Sequence, residues 1–335
     1  MDYLTGVNNM NMIWPLRRIG MSDLMVSPIG LGCWQFSRGK GLGGNYWPTL
    51  SDGEIRDIVR AGLEGGITWF DTAESYGGGE SERALARALK ALGKSPAEVV
   101  LATKWMPLFR TAKSITKTIG TRLENLGVPR IDLYQIHHPI SFSSVRQQMK
   151  AMASLVRDGK IRYVGVSNFS AARMRAAQKE LESFGLKLAS NQVRYSLLDR
   201  RIETNGILDS ARELGISIIA YSPLAQGILS GKFHDDHGLI RKRGGFRKYM
   251  SAFKEKGLAK SRPVIEALRE LAERYQATPS QVALNWLLAF PGEIVVAIPG
   301  ATKVRHAQEN AGAMSFRLTP DELAQLEGVS AIFKT

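Results

Sequence analysis

Five strand-like stretches of this chain carry polar groups at one end that an apolar strand does not need for its own packing. Asp71 ends ITWFD, Lys104 ends VVLATK, His137 ends IDLYQIH, Ser167 and Asn168 end IRYVGVSN, and Gln192 lies in LASNQVRYS. The steps from Asp71 to Lys104, Lys104 to His137 and His137 to Asn168 are 33, 33 and 31 residues. Each step has the length of one strand–helix unit, so the groups rise at the same end of successive parallel strands. Taken singly, Asp71 with Lys104 would be an ion pair and His137 a hydrogen-bonded core histidine. On one rim together, a carboxylate, an ammonium and an imidazole shift one another's proton affinities, as acid–base catalysis requires.

The chain between these groups alternates helical and strand patterns from residue 51 onward. Ser51 and Glu54 form a capping box that opens a helix running to Leu63 and stopping at Gly65-Gly66. Residues 81–92 place Ala84, Leu85, Ala88, Leu89 and Leu92 on one helical face. Further helices are expected near 113–126, 143–158, 171–184, 203–214, 263–275 and 279–290, the last opened by Thr278, Pro279 and Gln281. Strands are expected at 67–73, 99–104, 131–137, 161–168, 188–196, 216–223 and 293–300, with GLGCW at 30–34 counted first. They are continuous apolar runs, as parallel strands covered on both faces are.

Such units close as a barrel or open as a doubly wound sheet. Gly39-Lys40-Gly41-Leu42-Gly43-Gly44 matches the G-x-G-x-x-G fingerprint of the open sheet. However, Asn45-Tyr46-Trp47-Pro48 follows where a helix should open, and Val59 stands where an acidic residue is needed. The glycine run therefore reads as a loop over a barrel mouth. The expected fold is α/β: a (β/α)8 TIM barrel with an N-terminal β-hairpin turning at Met21-Ser22-Asp23-Leu24 and a C-terminal extra helix.

Composition agrees with one domain over 1–335. The chain has 335 residues, 44% hydrophobic, and no linker divides it; a barrel takes about 250 residues plus insertions. No apolar run reaches the length of a membrane span. MDYLTGVNNMNMIWPLRR lacks the basic-then-apolar order of a secretory signal. Cys33 is the only cysteine, which excludes an intrachain disulfide and a thiolate metal cluster, and a cytoplasmic setting is expected. The net charge is +14, with Arg241, Lys242, Arg243, Arg247, Lys248, Lys254, Lys256, Lys260 and Arg262 clustered. No zinc-finger spacing or RNA-binding aromatic motif accompanies them, so the charge supports an anionic ligand and no nucleic-acid partner. His234-Asp235-Asp236-His237 has ligand-type residues in a hydrophilic turn, and no metal site is expected there. Homo-oligomerisation is left open.

Six motifs, FDTAESYGGGESE (70–82), ATKW (102–105), YQIHHP (134–139), GVSNF (165–169), AYSPLAQGILSGK (220–232) and IPGA…QEN (298–310), together resemble the aldo-keto reductase superfamily. The resemblance runs in order over a core of about 16–331, on the branch of bacterial reductases and potassium-channel β subunits. It implies an oxidoreductase that moves hydride from NADPH to an aldehyde or ketone, a small-molecule carbonyl partner. Tyr76 would be the general acid, Lys104 would lower its proton affinity, Asp71 would hold Lys104, and His137 would orient the carbonyl oxygen.

The cofactor contacts it implies begin with Trp34 and Asp71. Ser167, Asn168 and Gln192 would bind the nicotinamide carboxamide, with Tyr221 stacked on the ring. Ser222, Pro223, Leu224, Gly227, Ser230 and Lys232 would wrap the pyrophosphate, with Arg247 folding over it. Gly300, Thr302 and Lys303 precede a helix N-terminus suited to phosphate; Glu309 and Asn310 would take adenine. His306 departs from the Gln or Arg of many relatives, while Lys303 and Arg305 favour a 2′-phosphate, hence NADPH over NADH. Trp34, Trp47, Trp105 and His138 would line the substrate pocket. The alternative is an NADPH-binding redox-sensing or regulatory subunit with slow turnover. Such subunits typically lack the catalytic histidine, so His137 favours the enzyme.

Overall fold

The computed structural model describes residues 13–40, 46–241 and 249–335. Arg247 and most of the glycine run at 39–44 lie outside the described residues. A short antiparallel hairpin comes first, β1 (Arg17–Arg18) with β2 (Met25–Val26), in register Arg17 to Val26. Eight parallel strands follow: β3 (Leu31–Gly32), β4 (Trp69–Asp71), β5 (Val100–Trp105), β6 (Ile131–Ile136), β7 (Ile161–Ser167), β8 (Leu188–Arg194), β9 (Ser217–Tyr221) and β10 (Val295–Ala297). Each pairs with its neighbours in sequence. Parallel bridges from Ile29 to Ala297 and Gly32 to Gly300 join the first strand to the last and close the barrel.

Helices cover the outside, starting with α1 (Asp52–Glu64), α2 (Glu80–Ala91), α3 (Lys113–Leu126), α4 (Val145–Arg157), α5 (Ala171–Glu182) and α6 (Ile207–Leu214). The capping box at Ser51 and Glu54 starts α1. After β9 come the single turns α7 (Lys232–Asp235) and α8 (Gly238–Arg241), then α9 (Glu255–Arg274), α10 (Pro279–Ala289), α11 (Val304–Gly312) and the extra helix α12 (Pro320–Ser330). None of the described helices is long and apolar enough to cross a membrane.

The helix expected to start at Pro263 starts eight residues earlier, and Pro263 lies inside α9. Packing outweighs the proline signal, since Leu258 joins Phe233, Ile240, Phe253 and Ile228 in a small cluster that buries the first turns of α9.

Strand alternation sorts the apolar residues into two cores. Outward-facing Leu101, Trp105, Ile136 and Val164 pack against the helices. Inward-facing Trp69, Ala102, Leu133, Ile219 and Val296 meet Ile19, Leu24 and Val26 of the hairpin. The hairpin thus plugs the N-terminal end of the barrel, and the polar residues sit above this layer at the C-terminal end. A bulge sharpens the division. Pairing jumps from Val164–Leu188 to Gly165–Ser190, one extra residue in β8. Leu188 faces the helices and Ala189 the interior, so the shift brings Gln192 into the barrel.

Candidate active site

Asp71 is the last residue of β4, Lys104 stands next to the end of β5, and His137 directly follows β6. Lys104 is fully buried, and its ammonium donates to the Asp71 carboxylate and to the Thr72 carbonyl oxygen at 2.8 Å. The Tyr76 hydroxyl lies 3.4 Å from the same nitrogen. The other Asp71 oxygen accepts from Gln135 Nε2 at 3.0 Å and Gln192 Nε2 at 2.9 Å. The Tyr76 and His137 rings meet edge to face, with centroids 5.5 Å apart.

Burial sets the proton affinities here. It raises the Tyr76 phenol above its usual value, and Lys104 offsets only part of that rise. The net effect on Tyr76 is therefore opposite to the lowering expected from sequence, because desolvation outweighs the one ammonium. Burial alone would lower Lys104, but the Asp71 carboxylate and the Tyr76 phenol overcome it and hold the ammonium charged. Burial, then Lys104 and His138, keep His137 well below its ordinary 6.5, hence neutral.

The segment between Asp71 and Tyr76 is fastened residue by residue. The Glu74 N–H donates to the Lys104 carbonyl oxygen at 3.2 Å. The Glu74 carboxylate, facing away from the barrel interior, accepts from Met106 N–H and Arg110 and from Arg122 at 2.9 Å. Arg122 also pairs with the buried Glu82 at 3.1 Å. Ser75 reaches Nδ1 of His137 at 3.2 Å. Sequence reading missed Gln135, Glu74 and Ser75. Parity could have found Gln135, which lies two residues before His137 and so faces inward with it.

At the next strands, Ser167 Oγ donates to the Gln192 carbonyl oxygen at 2.9 Å, and Asn168 Nδ2 donates to Ser167 Oγ at 3.0 Å and the His137 carbonyl oxygen at 3.3 Å. Tyr221 donates to Asn168 Oδ1 at 3.0 Å. Asn168 has the left-handed φ of 61°. Past Tyr221, Ser222, Ala225, Gln226 and Gly227 also have positive φ, and Ser230 Oγ donates to the Gly227 carbonyl oxygen at 2.7 Å. Pro223 and Leu224 complete this turn, with Lys232 close to Gly227.

On the far side of the seam, α11 follows Lys303 with no side-chain cap on its first N–H groups. His306 Nδ1 lies 3.2 Å from Thr302 Oγ1. Arg305 pairs with Glu309 at 2.8 Å, and buried Asn310 turns toward the Gly300 carbonyl oxygen at 3.5 Å.

Trp34 stacks on Tyr46 at 4.9 Å, faces Tyr76 at 6.0 Å and meets the edge of Trp47 at 5.8 Å. Trp105 is not part of this aromatic wall. Alternation turns it outward beside inward Lys104, and it is fully buried behind β5 with its indole N–H on Ser114 at 3.0 Å. His138 is exposed on the rim. His234, Asp235 and Asp236 diverge: His234 faces Ser261 at 3.0 Å, Asp235 pairs with Arg269 at 2.5 Å, and Asp236 accepts from Gly238 N–H.

The aldo/keto reductase family model matches residues 28–331. The chain belongs to the aldo/keto reductase family. An uncharacterized oxidoreductase of Mycobacterium tuberculosis is 39% identical over 310 residues, covering 92% of this chain and 91% of that one. Among solved aldo/keto reductase-like structures, a glycerol dehydrogenase from Gluconobacter oxydans superposes with a TM-score of 0.83 at 28% identity, over 96% of this chain and 97% of its own. An aldo-keto reductase from Klebsiella pneumoniae in complex with NADPH gives 0.72 at 27% identity, over 96% of each chain. Fold, family and oxidoreductase class thus agree with the sequence-based expectation.

Proposed function

We propose that this aldo/keto reductase reduces aldehydes or ketones to alcohols with NADPH as hydride donor. The observation that carries the reading is the Lys104 ammonium, buried between Asp71 and Tyr76 with His137 beside it. NADPH, when bound, supplies the hydride. Tyr76 then gives its proton to the alkoxide oxygen; its raised proton affinity keeps it a phenol, with that proton in place, at neutral pH. Lys104 steadies the phenolate left behind, and Asp71 keeps Lys104 charged and aimed. Neutral His137 donates a hydrogen bond to the carbonyl oxygen and draws it toward Tyr76.

Residues of this chain fit the cofactor. The positive-φ turn at Ser222 and Ala225 to Gly227 closes on itself, with Ala225 N–H on the Ser222 carbonyl oxygen and Gly227 N–H on that of Leu224, both at 2.9 Å. It brings Lys232 alongside, an ammonium that supports an anionic ligand here. The uncapped start of α11 offers further N–H groups near Thr302 and Lys303. Gln192 gives both described side-chain N–H contacts to Asp71 and Gln135, so toward a carboxamide it acts as an acceptor. Exposed Lys303 supports NADPH over NADH, while Arg305 must share its charge with Glu309. Oxidation of NADPH, with NADH alongside, across a panel of aldehydes and ketones tests the reading. Turnover of none of them by either cofactor would reject it.

A further inference from the structure

One polar contact of the site has no part in the reaction as described above: the Ser75 hydroxyl, 3.2 Å from Nδ1 of His137. The backbone of His137 is already fixed on both sides. Its N–H donates to the Trp105 carbonyl oxygen at 2.9 Å, and its own carbonyl oxygen accepts from Asn168 Nδ2 at 3.3 Å. What stays open is the ring, and above all which nitrogen holds its proton. A neutral imidazole donates at one nitrogen and accepts at the other, and a partner at one decides the other.

We propose that Ser75 is a positioning residue that sets the tautomer of His137: by donating to Nδ1 it holds the ring proton on Nε2, where it can meet a substrate carbonyl oxygen. Nδ1 is the ring atom set against the Ser75 hydroxyl, and with the hydroxyl as donor there the ring proton lies on Nε2. In the reverse arrangement Nδ1 would donate to Ser75 and Nε2 would carry a lone pair. That lone pair would repel the carbonyl oxygen the ring is meant to orient.

The backbone makes the contact dependable. Ser75 stands between Glu74, anchored to Met106, Arg110 and Arg122, and Tyr76, held beside Lys104. The loop cannot follow the ring if the ring turns, so the ring takes its orientation from the loop. Because burial and Lys104 keep His137 neutral, its tautomer, and not its charge, is the variable that Ser75 controls.

The inference rests on the carbonyl-reduction reading for its catalytic consequence, but its structural part can be read without turnover. The chain has five histidines, so imidazole nitrogen NMR of isotope-labelled protein resolves them, and His137→Asn assigns the signal of interest. Wild-type His137 should be protonated at Nε2 and bare at Nδ1. In Ser75→Ala the two nitrogen signals should move toward an averaged mixture of tautomers, and kcat for a good aldehyde should fall about tenfold, the effect of one hydrogen bond. The KM for NADPH should stay unchanged, and Ser75→Thr, which keeps a hydroxyl, should restore both signal and rate. A wild-type ring protonated on Nδ1, or a Ser75→Ala protein with wild-type signals and wild-type kcat, overturns the proposal. Protein with the expected tautomer that reduces no carbonyl would instead sink the reaction assignment alone.

Discussion

The Lys104 ammonium has three N–H bonds and three oxygen neighbours, and only one of those, the Tyr76 hydroxyl, has a proton to give away. Asp71 and the Thr72 carbonyl therefore hold the lysine, and Tyr76 is where its charge acts. Tyr76→Phe should lower kcat by ~10²-fold or more while leaving NADPH affinity nearly unchanged, as a general acid's removal does. Lys104→Met should slow hydride transfer comparably and lower the melting midpoint as well, since Asp71 then stays buried with its two carboxamide donors, Gln135 and Gln192, and no counter-charge. Single-turnover rates, cofactor titration and melting curves on both variants check this, and wild-type rates in either would remove that residue from the reaction.

The same residues fix a pH profile. With Tyr76 above its ordinary 10 and His137 well below its ordinary 6.5, both hold their working protonation states across the neutral range. The reduction rate should thus show no inflection near 6.5. Stability has the opposite sensitivity: the unfolded imidazole takes its proton first, so acidification below 6.5 draws stability down through this residue. An inflection of kcat at 6.5 that disappears in a His137 variant would contradict the neutral-donor role.

Among the elements, the loop from Asp71 to Gly79 ties the site to the outer layer. Glu74 clamps it to β5 through Met106 and to α3 through Arg122, although the sequence marks Glu74 only as one more acidic residue beside Tyr76. Glu74→Ala would leave Arg110 with Ser114, Thr118 and the Met106 carbonyl oxygen but no carboxylate, and Arg122 with Glu82 as its remaining carboxylate. The expected loss is about 3 kcal/mol of stability, typical of breaking one side of a buried pair. The drop in kcat should exceed the change in NADPH affinity, since Tyr76 loses its register against Lys104. Calorimetry with kinetics measures both, and a variant as stable and active as the wild type would show the clamp to be idle.

Such contacts are poorly legible in one dimension. Strand-end polar residues could be placed from a 33-residue step, but which face a side chain takes depends on parity. Trp105, expected to line the pocket, adjoins inward Lys104, and that adjacency turns it outward. The bulge in β8, which directs Gln192 inward, leaves no mark in the sequence, and neither does the packing of Leu258 that starts α9 ahead of Pro263.

At the scale of the whole molecule, the closed barrel follows from repetition, since eight apolar strands alternating with helices have few other ways to bury both faces. The seam is where this geometry is most exacting. β3 is two residues long, and closure rests on the bonds of Gly30 N–H to the Ala297 carbonyl oxygen at 2.8 Å, Ala297 N–H to that of Pro28 at 2.9 Å, and Gly32 N–H to that of Pro299 at 3.1 Å. A Cβ on Gly30 would stand 2.3 Å from the Trp69 indole. That ring cannot yield easily: it is buried in the inner core, with its N–H held by the Ser27 carbonyl oxygen at 2.9 Å. Gly30→Ala should therefore strain the seam and cost about 1–3 kcal/mol, as overpacking does. Because β3 leads directly to Trp34, reductase activity should fall with it. Gly120 gives the matched control: it lies exposed inside α3, with nothing within 4 Å of its would-be Cβ. There the same substitution should add about 0.5–1 kcal/mol by removing backbone freedom from the unfolded chain. Melting midpoints of the two variants should move in opposite directions, and a Gly30→Ala protein that melts with or above the wild type would mean the seam has room that the described geometry denies it.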